Sequence, residues 1–177
     1  MDRSSSRLTH LAALLCVAPF AAHAQYAPHS LGLSPHVATA LGSRTPMWGL
    51  SIEFSTYLDG GFEFFARVPF LITEVAVGAN TGDGSGRVLA SGASAGVRYL
   101  FVEGMLRPWV GLQLSGLVLA TTPEVTWFLG TGATLGLEWI LTESWSIGAR
   151  GVYDVFIDLN RPWRHQFGGL LNVSVLF

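Results

Sequence analysis

The sequence predicts an all-β protein: a closed, antiparallel, eight-stranded up-and-down β-barrel that crosses a membrane with its strands. Three observations carry this expectation. Half of the 177 residues are hydrophobic and only 12% are charged, where an ordinary soluble domain carries roughly 25%. Beyond Gln25 the apolar residues recur at the two-residue period of a strand, in eight successive segments. No stretch there approaches the ~20 consecutive apolar residues of a membrane-spanning helix, because Gly, Ser, Thr, Arg or Glu interrupts every few positions.

The N-terminal residues read differently. Arg3 and Arg7 precede an apolar run over residues 11–22, which ends in Ala22-His23-Ala24. A basic segment, a short apolar segment and a small-x-small site together predict an export signal over residues 1–24, cleaved after Ala24. The barrel domain then occupies residues 25–177. The one cysteine, Cys16, lies inside the apolar run behind Leu15. Acylation at Cys16 would need a small residue at that preceding position, so a lipid anchor is not expected. A mature chain without cysteine has no disulfide, thiolate metal site or cysteine nucleophile. The formal net charge of −2 lacks the basic excess that nucleic acid requires.

Strands are expected over residues 31–41, 47–58, 61–72, 88–102, 107–120, 125–140, 144–158 and 165–177. The clearest has Trp127, Leu129, Thr131, Ala133, Leu135, Leu137 and Trp139 on one face. Phe128, Gly130, Gly132, Thr134, Gly136 and Glu138 fall on the other. Each segment meets the roughly 9–11 residues that a spanning strand needs. Short turns are expected at 59–61, 103–106 and 141–143, and alternate with connections at 42–46, 73–87, 121–124 and 159–164. Tight periplasmic turns and longer external loops are the pattern of outer-membrane barrels, and an even strand number puts both mature termini in the periplasm. Tryptophans divide in the same way. Trp109, Trp139 and Trp145 fall at the expected periplasmic ends of strands, and Trp48, Trp127 and Trp163 at the external ends. This predicts an aromatic girdle at each interface.

With the apolar face outward, alternation sends Glu53, Glu63, Arg67, Arg98, Glu138, Arg150 and Asp154 inward, with Gln113, Asn172 and His36 beside them. An eight-stranded barrel is only wide enough for its side chains to fill. An unpaired ion in that space costs several kcal/mol. The sequence therefore predicts an ion-paired, largely plugged polar lumen with Arg67, Arg98 and Arg150 as hubs, since guanidinium bridges carboxylates in fixed geometry. Gly96, Gly111, Gly130, Gly132, Gly136 and Gly148 share the inward face and leave room for long neighbours.

The chain ends in Leu171-Asn172-Val173-Ser174-Val175-Leu176-Phe177, a strand of alternating hydrophobics closed by an aromatic residue. Two other stretches, Arg107-Pro108-Trp109-Val110-Gly111-Leu112 and Gly132-Ala133-Thr134-Leu135-Gly136-Leu137-Glu138-Trp139, have the look of paired barrel strands. On these residues the chain resembles the small eight-stranded outer-membrane β-barrels, the group that includes the outer-membrane protein A transmembrane domain. The resemblance implies a Gram-negative outer-membrane location among lipid and lipopolysaccharide. It also implies that Leu171, Val173, Val175 and Phe177 form the assembly signal read by the barrel-assembly machinery.

Small barrels of this membrane include lipid A palmitoyltransferases and deacylases, so catalysis needs weighing. The exported part offers His29, His36 and His165, with Asp154, Asp158 and several serines. No His-x-Ser pattern surrounds His165, whose neighbours are Arg164 and Gln166, and a hydrolase needs a nucleophile within reach of its base. No His, Asp and Glu set has metal-site spacing. The Gly-rich loop over 78–86 holds one carboxylate, Asp83, too few for calcium. Gly130-x-Gly132-x-x-x-Gly136 has neither the spacing nor the following helix of a nucleotide loop.

The leading expectation is thus a non-enzymatic integral outer-membrane barrel with a structural, envelope-integrity role and no cofactor or metal. The alternatives are a passive or gated channel for small solutes, and a surface binding module using loops 73–87 and 159–165. In the latter, Arg161, Trp163 and Arg164 would meet lipopolysaccharide phosphates. A lipid A-modifying enzyme is the least supported.

Overall fold

Strict alternation turns each segment into a pleated ribbon with two unlike faces, and the computed structural model bends eight of them into a closed wall. It describes residues 28–39, 45–76, 85–121, 124–158 and 161–177. In chain order the strands are β1 (His29–Thr39), β2 (Pro46–Leu58), β3 (Phe62–Ala76), β4 (Ser85–Leu100), β5 (Leu106–Thr121), β6 (Glu124–Thr142), β7 (Trp145–Asp158) and β8 (Arg161–Leu176). Each strand pairs antiparallel with its sequence neighbours, and β8 pairs with β1 to close the barrel. Mutual backbone hydrogen bonds between His29 and Phe177, at 3.1 and 3.0 Å, finish that last seam. A closed ladder has no edge strand and leaves no row of backbone donors to be satisfied elsewhere.

The turn between β2 and β3 shows its local chemistry plainly. Gly60 and Gly61 have φ of 79° and 82°, a left-handed conformation that a Cβ disfavours. The sequence Asp59-Gly60-Gly61 is what allows so short a reversal. Turns of similar economy join β4 to β5 over residues 101–105 and β6 to β7 over residues 143–144. These three turns lie at the same end of the barrel as His29 and Phe177.

Two loop expectations need correction. β8 begins at Arg161, not at 165, so most of the expected loop 159–165 is strand, and Asp158 pairs with Arg161 across an irregular register. Likewise β3 and β4 run on toward each other, with Glu74 opposite Arg87 and Ala76 opposite Ser85, inside the expected loop 73–87. In both hairpins the backbone N–H and C=O groups gain ladder partners by continuing the strands. That gain outweighs breakers such as Pro162 and Gly86 near strand ends, where few ladder bonds are lost. Residues 77–84, the expected export signal 1–24 and the cleavage site after Ala24 lie outside the described residues.

The wall inverts the polarity of a water-soluble domain. In β6, Trp127, Leu129, Leu135, Leu137 and Trp139 are exposed on the outer face, while Phe128, Thr134 and Glu138 are buried inside. In β5, Leu112 and Leu114 are each 71% exposed, with Gln113 between them at 2%. Apolar exposure on this scale is a liability in water and an advantage in lipid. The interior is itself stratified, a division that the expected polar lumen did not include. Toward the end opposite the three turns, Ala38, Met47, Leu71, Ala90, Leu117, Phe128 and Phe156 form an apolar cluster across the lumen. Phe128 and Phe156 meet there edge to face, with centroids 6.5 Å apart. The buried charges occupy the remainder.

A closed eight-strand ladder must lose many backbone bonds together to unfold, which gives kinetic stability. The unboiled protein is therefore expected to migrate faster than the boiled protein on a detergent gel. Identical mobilities would contradict the closed barrel.

Candidate functional site

Inward parity on seven strands delivers polar side chains to one internal site. Glu53 comes from β2, Glu63 and Arg67 from β3, Arg98 from β4, Arg107 and Gln113 from β5, Glu138 from β6, and Arg150 and Asp154 from β7; Ser30 and His36 join them from β1. The eight charged groups are all between 2% and 7% exposed, so none is solvated as a surface ion would be. Four are acids and four are arginines, and the buried charge among the described residues balances.

Glu53 is the hub. Its carboxylate accepts from both terminal nitrogens of Arg150, and from Arg98 Nη1 at 3.2 Å. Arg98 also grips Glu63 with two donors, Nε to Oε2 at 2.8 Å and Nη2 to Oε1 at 2.7 Å. Ser55 donates to Glu63 and shares a 2.7 Å hydrogen bond with Ser30. Two guanidiniums converging on one carboxylate repel each other, and aromatic faces offset this. Arg98 lies 4.9 Å and Arg150 4.7 Å from the Trp109 ring centroid, and 5.9 and 5.2 Å from that of Phe65. Such cation–π contacts are worth ~2 kcal/mol or more when desolvated.

Two smaller sets adjoin this hub. Arg107 faces Glu138 at 3.8 Å, and Ser146 donates to the same carboxylate at 2.7 Å. Gln113 accepts from Arg67 Nη2 at 3.1 Å and donates to both Asp154 oxygens at 2.8 and 3.0 Å. Ser115 gives Asp154 a further hydrogen bond at 3.1 Å. His36 Nδ1 and the Ser51 hydroxyl share one at 2.8 Å, and Ser34 donates to Asn172 at 2.8 Å.

Register alone would not have chosen these partners. Glu53 stands directly opposite Arg67 in the β2–β3 ladder. The Glu53 carboxylate instead reaches across the lumen to Arg98 and Arg150, while Arg67 turns to Gln113. By contrast Glu63 and Arg98, and Arg107 and Glu138, are both opposite in register and paired by charge.

Trp109 requires correction: it is not part of an outer girdle. It is 4% exposed, inside the barrel, beneath the two guanidiniums. Arg107, Trp109, Gly111 and Gln113 share one strand parity, so Trp109, four places from Gln113, faces inward with it. Across the ladder Trp109 meets Gly136, where a Cβ would stand 2.5 Å from the indole Cζ2. That missing side chain is the space the ring occupies. Arg107 was absent from the expected network, although the same parity and its register opposite Glu138 signal it.

Trp48, Trp127 and Trp163 are exposed on the outer wall toward one end, and Trp139 and Trp145 toward the turn end. Leu171, Val173, Val175 and Phe177 are exposed on the outer wall, and Ser174 is buried inside. Arg164, expected to face lipopolysaccharide, lies over the interior ring of Phe128 at 5.5 Å. His165 Nδ1 and the Tyr153 hydroxyl share a 2.7 Å hydrogen bond, with the two rings stacked. His29 meets the Thr56 hydroxyl at 3.2 Å. Among the described residues no group of three His, Cys, Asp or Glu side chains converges as a metal site would.

No family model matches the sequence, and no curated protein matches it. Solved structures do match in shape. Neisserial surface protein A (NspA) superposes with a TM-score of 0.59 at 15% identity, covering 84% of this chain and 96% of that one. The outer membrane protein OprG from Pseudomonas aeruginosa gives 0.62 at 10% identity, covering 86% and 97%. Ail, the attachment invasion locus protein of Yersinia pestis, gives 0.50 at 12% identity, covering 84% and 96%. At such identities the likeness is one of fold, and the fold is that of the small outer-membrane β-barrels.

Removing one member of a buried ion pair leaves the other uncompensated, at about 3–5 kcal/mol. Glu53→Ala leaves Arg150 without its carboxylate and takes one of two from Arg98, and is expected to lose about that much in urea unfolding of the detergent-solubilised protein. Trp109→Ala is expected to cost about 3–5 kcal/mol in the same assay, as a buried aromatic truncation does. Trp127→Ala on the outer wall opens no packed interior and should cost clearly less. Equal effects at the two tryptophans would contradict the interior placement of Trp109.

Proposed function

We propose that this protein is an integral outer-membrane barrel with a non-enzymatic, structural role in the envelope, and that its lumen is closed to solutes. The observation that carries this reading is the layer made by Glu53, Arg98, Arg150 and Trp109. Four inward side chains from β2, β4, β7 and β5 meet across the lumen, where an eight-stranded barrel has room only for its own side chains. The apolar cluster around Phe128 and Phe156 forms a second barrier toward the opposite end.

The membrane setting is supported by the outer wall. Its residues are apolar, and its exposed tryptophans fall toward the two ends, where indole rings favour the boundary between headgroup and hydrocarbon. In this reading residues 1–24 direct export, and the strand ending in Phe177 is presented to the assembly machinery. Lipid and lipopolysaccharide are then the partners of the wall. A surface binding role draws less support, because Arg164 turns inward over Phe128 and the segment after Arg161 is strand. His165 has a tyrosine hydroxyl for its partner, which lends nothing to a hydrolytic reading.

Planar-bilayer recording of the purified protein tests closure. The wild type is expected to show no large, steady conductance, and Arg150→Ala to raise conductance by removing a side chain that crosses the lumen. Gel mobility confirms that the variant is folded. A large, steady wild-type conductance would sink the reading.

A further inference from the structure

Where the apolar cluster meets the charged network, the interior holds a small cavity of about 20 Å³. Its two sides differ in chemistry. Leu71, Leu117 and Phe156 bound it on the apolar side, and Arg67, Ser115 and Asp154 on the polar side. Arg67 is 2% exposed and spends one donor on Gln113. Its Nε and Nη1 are buried and meet no hydrogen-bond acceptor among the described residues. The register neighbour that might have served them, Glu53, is held by Arg98 and Arg150.

Buried donors on a charged group are costly to leave unmet. We propose that this cavity binds a single, long-lived water molecule that accepts from Arg67 and donates to Asp154. The water would join these opposite charges in parallel with the Gln113 bridge.

Size, charge and hydrogen-bond polarity select the ligand. A water needs roughly 10–15 Å³ of such space and 2–4 polar partners, so one fits and a larger solute does not. A halide only accepts, and here it would face the Asp154 carboxylate. It would also add net charge to a set of buried groups in which four acids already balance four arginines. Water both accepts and donates, which is what a guanidinium on one side and a carboxylate on the other require. Below an apolar cap it exchanges only when that cap opens. The site is independent of the closed-lumen reading: a barrel that conducts would still hold this water, and a dry cavity in a closed barrel would remove only the water.

The test is a high-resolution crystal structure of the purified protein grown with sodium bromide. One water is expected within roughly 2.7–3.2 Å of Arg67 Nε or Nη1 and within the same range of an Asp154 oxygen, with no anomalous peak there. A bromide peak, an empty cavity, or Arg67 bonded directly to Asp154 would overturn the proposal. In Arg67→Met, which retains the stem and loses the donors, the water should be absent. Its persistence there would also overturn the assigned role of Arg67. If that variant fails to fold, the wild-type crystal decides alone.

Discussion

Closure of β8 onto β1 is the constraint from which the rest of this molecule follows. Once the last strand pairs with the first, each residue within a strand belongs to one of two spaces, and its neighbours in that strand belong to the other. Leu112 and Leu114 face outward because Gln113 faces inward, and no local preference can alter one without the others. Closure also sets the width of the interior. Eight strands leave room for side chains and little else, so whatever parity sends inside must pack and pair with what it finds.

The interior meets this demand unevenly. On one side of the lumen, four acids and four arginines are held at burial levels where isolated ions would be strongly penalised. Arg98 and Arg150 share Glu53 and lie against Trp109 and Phe65, so each guanidinium has a carboxylate partner and aromatic rings nearby. Glycine is the counterpart of these large groups: Gly136 has no side chain where the Trp109 ring lies, and a Cβ at Gly132 would collide with the Asp154 carboxylate. The other side packs Met47, Leu71, Phe128 and Phe156 together, with Arg164 over the Phe128 ring. Arg67 stands at the boundary, which is why its donors are less completely matched than those of Arg98.

Such an arrangement favours a unique interior over a maximally stable one. Replacing buried ion pairs with apolar side chains of similar volume is often neutral or stabilising. An apolar interior inside an apolar wall, however, would weaken the distinction between the two faces of each strand. A one-residue slip places Glu53 or Arg150 against lipid, an expensive error. Buried charge in this barrel therefore penalises the wrong registers, a role separate from its net contribution to stability.

The amino-acid sequence by itself determined the fold class, the number of strands and the face on which most side chains lie. Each of these follows from a two-residue period that no tertiary contact can change. It was less informative at strand ends, where Pro162 and the Gly-rich stretch before Arg87 resemble loops while the ladder continues through Arg161 and Ser85. Trp109 shows the same competition inside a strand. Its nearness to a turn suggested a girdle, but its parity with Gln113 was the stronger signal. What only the tertiary structure decided is partnership. Glu53 and Arg67 are opposite in register yet bind elsewhere, because closure brings Arg150, 97 residues away in sequence, within reach of Glu53. Partnership across a lumen depends on how eight strands curve around a common axis, and that curvature is a property of the closed barrel that no single strand contains.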